Sequence, residues 1–219
     1  MPKETLHRDD VIGALRRLAA DLPAQAEALR ELDAAIGDGD LGITMTIGFG
    51  AVTEALPALE SGDLASIIMK SGMAFNRKAA STFGALFATM MMRAAGIAKG
   101  KDELRLEDLA AMAAAAAQGV MERGKAAVGD KTLLDALVPA AEALSQAAGQ
   151  GKSLAEGLER AAAAAQQGAE ITKGMKSKMG RASWFADRTE GVQDPGATAV
   201  AMMLKSLAAF AQESGGIPY

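Results

Sequence analysis

The chain has 219 residues, half of them hydrophobic but only 4% aromatic, with a net charge of −4 at neutral pH and no cysteine. The acidic balance argues against a broad nucleic-acid footprint, and the missing cysteines exclude disulfides and thiolate chemistry and fit a reducing compartment. No run reaches about 18 uninterrupted apolar residues, so no membrane span is expected. "MPKETLHRDD" lacks the apolar core of a secretory leader, and a cytoplasmic protein is expected. Alanine and methionine fill much of the apolar quota, and such small or unbranched side chains favour closely packed helices over sheets.

In chain order, Asp9 is the expected cap of "DVIGALRRLAADL", and Pro23 starts or kinks a second stretch that ends near Ile36, with Gly37 as its stop. Within the run 42–60, "ITMTI" (43–47) alternates apolar and polar residues, a strand signal. A helix is nevertheless expected there, because no second strand is available to pair with it. Asp63 is the expected cap of "LASIIMKSGMAF". Residues 82–96, 106–123, 130–148, 152–174 and 195–213 carry apolar spacing near the helical 3.6. Glycine-rich joints separate them. About eight helices with short loops predict an all-α, antiparallel, single domain over residues 1–219.

"IGDGDLG" (36–42) contains G-x-G-x-x-G through Gly37, Gly39 and Gly42. A dinucleotide loop follows a strand, but the segment before this one, "AEALRELDAAI", is a helix by propensity. The acids are more informative. On one unbroken helix Asp33 and Asp38 would be rotated by about 140° from each other, and Asp33 and Asp40 would lie about 10 Å apart along the axis. A break at Gly37, with Gly39 at positive φ, folds Asp38 and Asp40 back beside Asp33. Three gathered carboxylates call for a hard cation, and their oxygen-only donor set suits Mg²⁺ or Ca²⁺. The bland alternative makes Asp38 and Asp40 caps of the next helix and Asp33 a solvated face residue.

Other motifs carry less. "GKAAVGDKT" (124–132) and "GQGKS" (149–153) each miss the P-loop pattern and follow no strand, so both read as helix-to-helix joints. His7, the sole histidine, reads as exposed and idle, and no nucleophilic triad can be assembled. Lys173, Lys176 and Lys178 read as a solvated face. In "DPG" (194–196), Asp194 reads as an N-cap with Pro195 at the first helical position. Arg181 is a candidate phosphate ligand.

Three stretches taken together, "LDAAIGDGDLG" (32–42), "GDKTLLDAL" (129–137) and "GRASWFADRTEGVQDPGAT" (180–198), resemble the L subunit, or nucleotide-binding domain, of dihydroxyacetone kinases. The resemblance covers nearly the whole chain. It implies an eight-helix antiparallel barrel with a pocket at one end. It also implies that Asp33, Asp38 and Asp40 hold two Mg²⁺ ions that clasp the phosphates of ADP or ATP. Leu41, Gly42 and Thr44 would line those phosphates, and Ala80 and Ser81 would occupy a small-residue phosphate loop. Gly124, Leu133, Arg181 and the turn Asp194–Pro195–Gly196 match the remaining nucleotide-contacting positions. The family usually has histidine where Leu41 stands and asparagine where Thr44 stands, and its "GGASG" loop is "KAAST" (78–82) here. These departures leave open a subfamily acting on a four-carbon keto-sugar.

The chemistry implied is phosphoryl transfer to the hydroxyl of a small ketose, by positioning and charge neutralisation. The chain offers no convincing base and no reactive histidine to grip a ketone. A substrate-binding K-type subunit is therefore the expected partner, and the chain alone is expected to bind nucleotide with Mg²⁺ but turn over negligibly. A phosphotransferase-system phosphocarrier and a second copy of the chain are further candidate partners, and the donor is either exchanged ATP or a rephosphorylated bound ADP. A fatty-acid-kinase-type domain, a nucleotide-sensing regulatory subunit and a helical scaffold without ligand stand as alternatives.

Overall fold

Among the described residues, which are 3–180, 183 and 186–213 of a computed structural model, every extended element is a helix. In chain order they are α1 (Arg8–Ala24), α2 (Ala26–Ile36), α3 (Leu41–Ala55), α4 (Leu64–Lys78), α5 (Thr82–Ala98), α6 (Leu106–Gly124), α7 (Leu134–Gly149), α8 (Leu154–Ile171), α9 (Ala186–Thr189) and α10 (Pro195–Gln212). Arg181 and Trp184 lie outside the described residues.

Helix α1 packs on α3 and α10, and the pairs α3–α4, α4–α5, α5–α6, α6–α7, α7–α8 and α8–α10 pack in turn. The staves therefore close into an antiparallel ring, the expected barrel, and α2 continues α1 past a one-residue break at Gln25. The direction of travel alternates from stave to stave. One end of the barrel collects the loops 37–40, 79–81, 125–133 and 172–194. The other collects the residue 3–7 strap, where Leu6 pairs with Leu104 and the Lys3 N–H donates to the Ala211 carbonyl at 3.3 Å.

Local chemistry sets the helix ends. Asp63 caps α4 through the Ser66 N–H at 2.7 Å, and Ser153 caps α8 with Glu156 reaching back to the Ser153 N–H at 3.1 Å. The first helix corrects the sequence reading. Its N-cap is His7, not Asp9, because the Asp10 carboxylate reaches back to the His7 N–H at 3.0 Å, while Asp9 sits inside the first turn. His7 therefore stands at a helix start rather than idle, with its ring exposed 3.8 Å from Glu103. Pro23 lies in the last turn of α1, and the break follows it at Gln25.

The strand-like "ITMTI" is helical within α3. Met45, Phe49 and Val52, spaced for one helix face, are fully buried, while Ile43 and Ile47 face out. Thr46 and Thr53 satisfy their hydroxyls on the carbonyls of Gly42 and Phe49, at 3.1 Å each, so the polar residues cost the helix little. Leu41–Ala58 is long and apolar enough to cross a bilayer by length and composition, but half of it is buried against its neighbours in the barrel wall.

The core joins two kinds of packing. Phe49 meets Phe75 edge-on at 5.2 Å and Phe87 at 5.7 Å between ring centroids, tying α3, α4 and α5 together. On the far side Ala136, Ala140, Ala161, Ala165, Ala197 and Ala199 are fully buried, and these small side chains let α7, α8 and α10 approach closely.

Candidate functional site

The turn between α2 and α3 builds the site. Gly37 ends α2, its N–H donating to the Asp33 carbonyl at 2.5 Å, and Gly39 adopts φ +74°, a backbone region costly for residues with a Cβ. The chain thereby reverses within four residues, 37–40, and Asp40 becomes the N-cap of α3. Gly42 lets α3 start directly against α2, since a Cβ there would sit 2.1 Å from the Ala26 carbonyl oxygen. As a result one carboxylate oxygen from each of Asp33, Asp38 and Asp40 lies within 4.8 Å of the others. Asp33 is half-buried, and its Oδ2 accepts the Leu41 N–H at 3.0 Å, while Asp38 and Asp40 are exposed. Desolvation of its carboxyl by the surrounding turn, and then the charge of Asp33, push Asp40 above its ordinary range.

Chemically this is a hard, all-oxygen donor set at the N-terminus of a 15-residue helix. Such a set fits Mg²⁺, which takes one or two carboxylates and fills its remaining positions with water and phosphate oxygens. The start of α3 adds the positive end of the helix dipole. The mutual repulsion of the three acids is the physical reason for a cation to bind.

The other anticipated positions fall at the same end of the barrel. Leu41 and Thr44 are buried in the first turn of α3. Ala80 is exposed, and Ser81 caps α5, its Oγ accepting the Gly84 N–H at 3.0 Å. Gly124 ends α6, and Leu133 is buried beside Gly196. Asp194 caps α10 through the Ala197 N–H at 2.7 Å, with Pro195 in the first turn, as expected. Burial, against the pull of its cap hydrogen bond, pushes the Asp194 carboxyl up to about 7. Arg181 falls outside the described residues.

The sequence reading missed a buried polar knot behind the 172–194 segment. Helix α7 starts at Leu134 rather than near 130, because Lys131 takes φ +60° and Asp135 folds back on the loop. Asp135 accepts the Gly129 N–H at 2.6 Å and the Thr132 N–H at 2.7 Å. Lys131 is only 2% exposed, and its Nζ donates to the carbonyls of Met175 at 3.0 Å, Val192 at 2.6 Å and Thr189. Burial lowers its pKa. The Thr172 hydroxyl accepts the Asp194 N–H at 2.8 Å, and Thr189 Oγ1 accepts the Ser177 N–H at 2.9 Å. The lysines expected to form one solvated face are exposed but separately paired: Lys173 with Glu170, Lys176 with Asp187 and Lys178 with Asp130.

Residues 35–209 match the family model described as the DAK2 domain. The chain belongs to the DAK2 domain family. This DAK2 chain is 39% identical over 209 residues to the ADP-binding subunit DhaL of the PEP-dependent dihydroxyacetone kinase of Escherichia coli, covering 95% of this chain and 100% of that protein. It is 36% identical to the L-erythrulose kinase of Pectobacterium atrosepticum over 91% of its own length, but spans only 34% of that longer protein. Among solved structures, the dihydroxyacetone kinase of C. freundii in complex with AMP-PNP and Mg²⁺ superposes with a TM-score of 0.69 at 29% identity, covering 91% of this DAK2 chain and 33% of that one.

Proposed function

We propose that this chain is the nucleotide-binding subunit of a dihydroxyacetone-type kinase. Asp33, Asp38 and Asp40 would hold two Mg²⁺ ions against the phosphates of ADP or ATP. The observation that carries this reading is the convergence of the three carboxylates at the start of α3. The 39% identity to an ADP-binding subunit spanned end to end, and a structural relative solved with a nucleotide analogue and Mg²⁺, support it.

When bound, the ions would supply charge neutralisation at the transferring phosphoryl group. The chain's own residues do the rest. Asp33 fixes the register between α2 and α3 through the Leu41 N–H, so the carboxylates are pre-positioned. Gly42 and Thr44 offer the first turn of α3 to phosphate oxygens. Ala80 and Ser81 would border the phosphates, Gly124, Leu133, Asp194, Pro195 and Gly196 would contact the nucleotide, and Arg181, outside the described residues, is the candidate phosphate stabiliser.

The acceptor is the hydroxyl of a small ketose carried by a substrate-binding K-type partner, whether a separate subunit or a flanking domain. The donor is the ATP formed when a bound ADP is rephosphorylated at the expense of phosphoenolpyruvate, a reading supported by the E. coli relative being named PEP-dependent and ADP-binding. The same reading makes the chain a cytoplasmic protein. A second reading, phosphorylation of a four-carbon keto-sugar, is favoured by the identity to an erythrulose kinase and by Leu41 and Thr44 at the phosphate turn.

The test mixes this chain with a K-type partner, phosphoenolpyruvate and the phosphotransferase proteins, and compares dihydroxyacetone with erythrulose. Turnover that requires both this chain and the partner is expected. Equal turnover without this chain would contradict the proposal.

A further inference from the structure

Among the described residues of the segment 175–192, Lys131 supplies an inward tie that reaches both limbs, 175–180 and 186–192. Lys131 donates to the carbonyls of Met175 on one limb and of Thr189 and Val192 on the other. A lysine ammonium has three donors, and all three are spent here, on a side chain buried at 2% exposure. The φ of +60° at Lys131 is uncommon for a residue with a side chain. It aims the stem inward from the 129–133 loop, which Asp135 holds through Gly129 and Thr132. Among the described residues, further bonds join limb to limb, as from the Ser177 N–H to Thr189 Oγ1 at 2.9 Å, and Lys178 ties one limb to the 125–133 loop from the surface, its N–H donating to the Asp130 carbonyl at 3.1 Å and its Nζ to the Gly129 carbonyl at 3.0 Å. Short helix α9, inside this segment, packs on α2, which carries Asp33. The segment is thus a wall of the same barrel end as the carboxylates.

We infer that Lys131 is a positioning residue: it sets the 175–192 wall over the nucleotide without touching the ligand. This rests on the nucleotide reading of the carboxylate end. On that reading the nucleoside lies between the 125–133 loop and the described limbs of the 172–194 segment, where Leu133 sits beside Gly196. Among the described residues, Lys131 is a buried side chain that joins those two loops. Removing the ammonium leaves three carbonyls short of a donor and loosens both limbs at once, while the carboxylates, held by the α2–α3 turn, stay in place.

The test compares the wild-type chain with Lys131→Met, which keeps the apolar stem, and Lys131→Arg, which restores a multi-donor cation. Mn²⁺ binding at the carboxylates is followed by paramagnetic resonance, ADP binding in saturating Mg²⁺ by calorimetry, and the segment by hydrogen exchange. In Lys131→Met, exchange in 175–192 should quicken, Mn²⁺ affinity should hold, and the ADP Kd should rise by about tenfold or more, the scale on which supporting residues act. Lys131→Arg should recover much of the loss. Unchanged ADP affinity in Lys131→Met, or Mn²⁺ affinity falling in step with it, overturns the inference. Where Lys131→Met does not fold, Thr189→Val loosens the same wall by unpairing the Ser177 N–H, and wild-type ADP affinity in that variant overturns it equally. A wild-type chain that binds no ADP instead overturns the nucleotide reading itself.

Discussion

The carboxylate of Asp33 accepts the backbone N–H of Leu41 at 3.0 Å, joining the last turn of α2 to the first of α3. One side chain therefore both satisfies an orphan helix donor and stands in the acidic trio. One substitution removes both. Asp33→Ala should destabilise the chain by about 1 kcal/mol through the lost hydrogen bond and abolish Mg²⁺-dependent nucleotide binding. Urea unfolding and calorimetry on the same preparation check both.

Asp40→Asn should affect only the cation. Its side chain makes no capping hydrogen bond, and it sits beside the charge of Asp33. Without Mg²⁺ the variant should melt no lower than wild type. With Mg²⁺ and ADP, wild type should gain in Tm by linkage and the variant should not. Thermal scans in the four conditions decide.

Gly39→Ala should loosen the site through the backbone. The residue holds φ +74°, and an added Cβ would lie 3.2 Å from the Cβ of Ala34. The cost should be about 1 kcal/mol, with weakened Mn²⁺ binding because Asp38 and Asp40 flank the strained residue. A variant with wild-type stability and metal affinity would show that the turn does not need positive φ.

The carboxylate hinge was legible because glycine breaks a helix in a way that sequence displays, and three acids within eight positions have few uses. The antiparallel all-α packing was legible from apolar spacing, and its closure into a barrel only from the family resemblance. The start of α1 was not, since the choice of His7 over Asp9 depends on Asp10 reaching back and on the Leu6 pairing with Leu104, a contact across the chain. Lys131 was hidden for a stronger reason. Its partners lie 44 to 61 positions away, and its neighbours in "GDKT" suggest a phosphate loop or a joint. Burial of a charged group on backbone carbonyls has no local signature.

Asp194 gives a pH signature. Its folded pKa is raised to about 7, from an ordinary value of 3.8. The folded state therefore holds a proton that the unfolded state has lost. Its contribution to stability is fully present below about pH 4 and disappears as pH rises through about 7, a change on the order of a few kcal/mol. Asp194→Asn keeps a good cap and removes the titration. The stability of wild type relative to the variant should therefore fall between pH 5 and pH 8 in urea unfolding. A constant difference would contradict the assignment.

The core makes an independent prediction. Phe49 is fully buried between Phe75 and Phe87, so Phe49→Ala should cost about 3–5 kcal/mol, read as a shift in the urea midpoint.

The central claim, that an acidic trio at the start of α3 grips a nucleotide through divalent ions, is tested most directly by titrating ADP into the wild-type chain in a calorimeter, with Mg²⁺ and with the metal chelated. Saturable binding of one ADP per chain with Mg²⁺, lost on chelation and lost in Asp38→Asn, is the predicted result. Binding that ignores both the chelator and that substitution, or no binding at all, would contradict it.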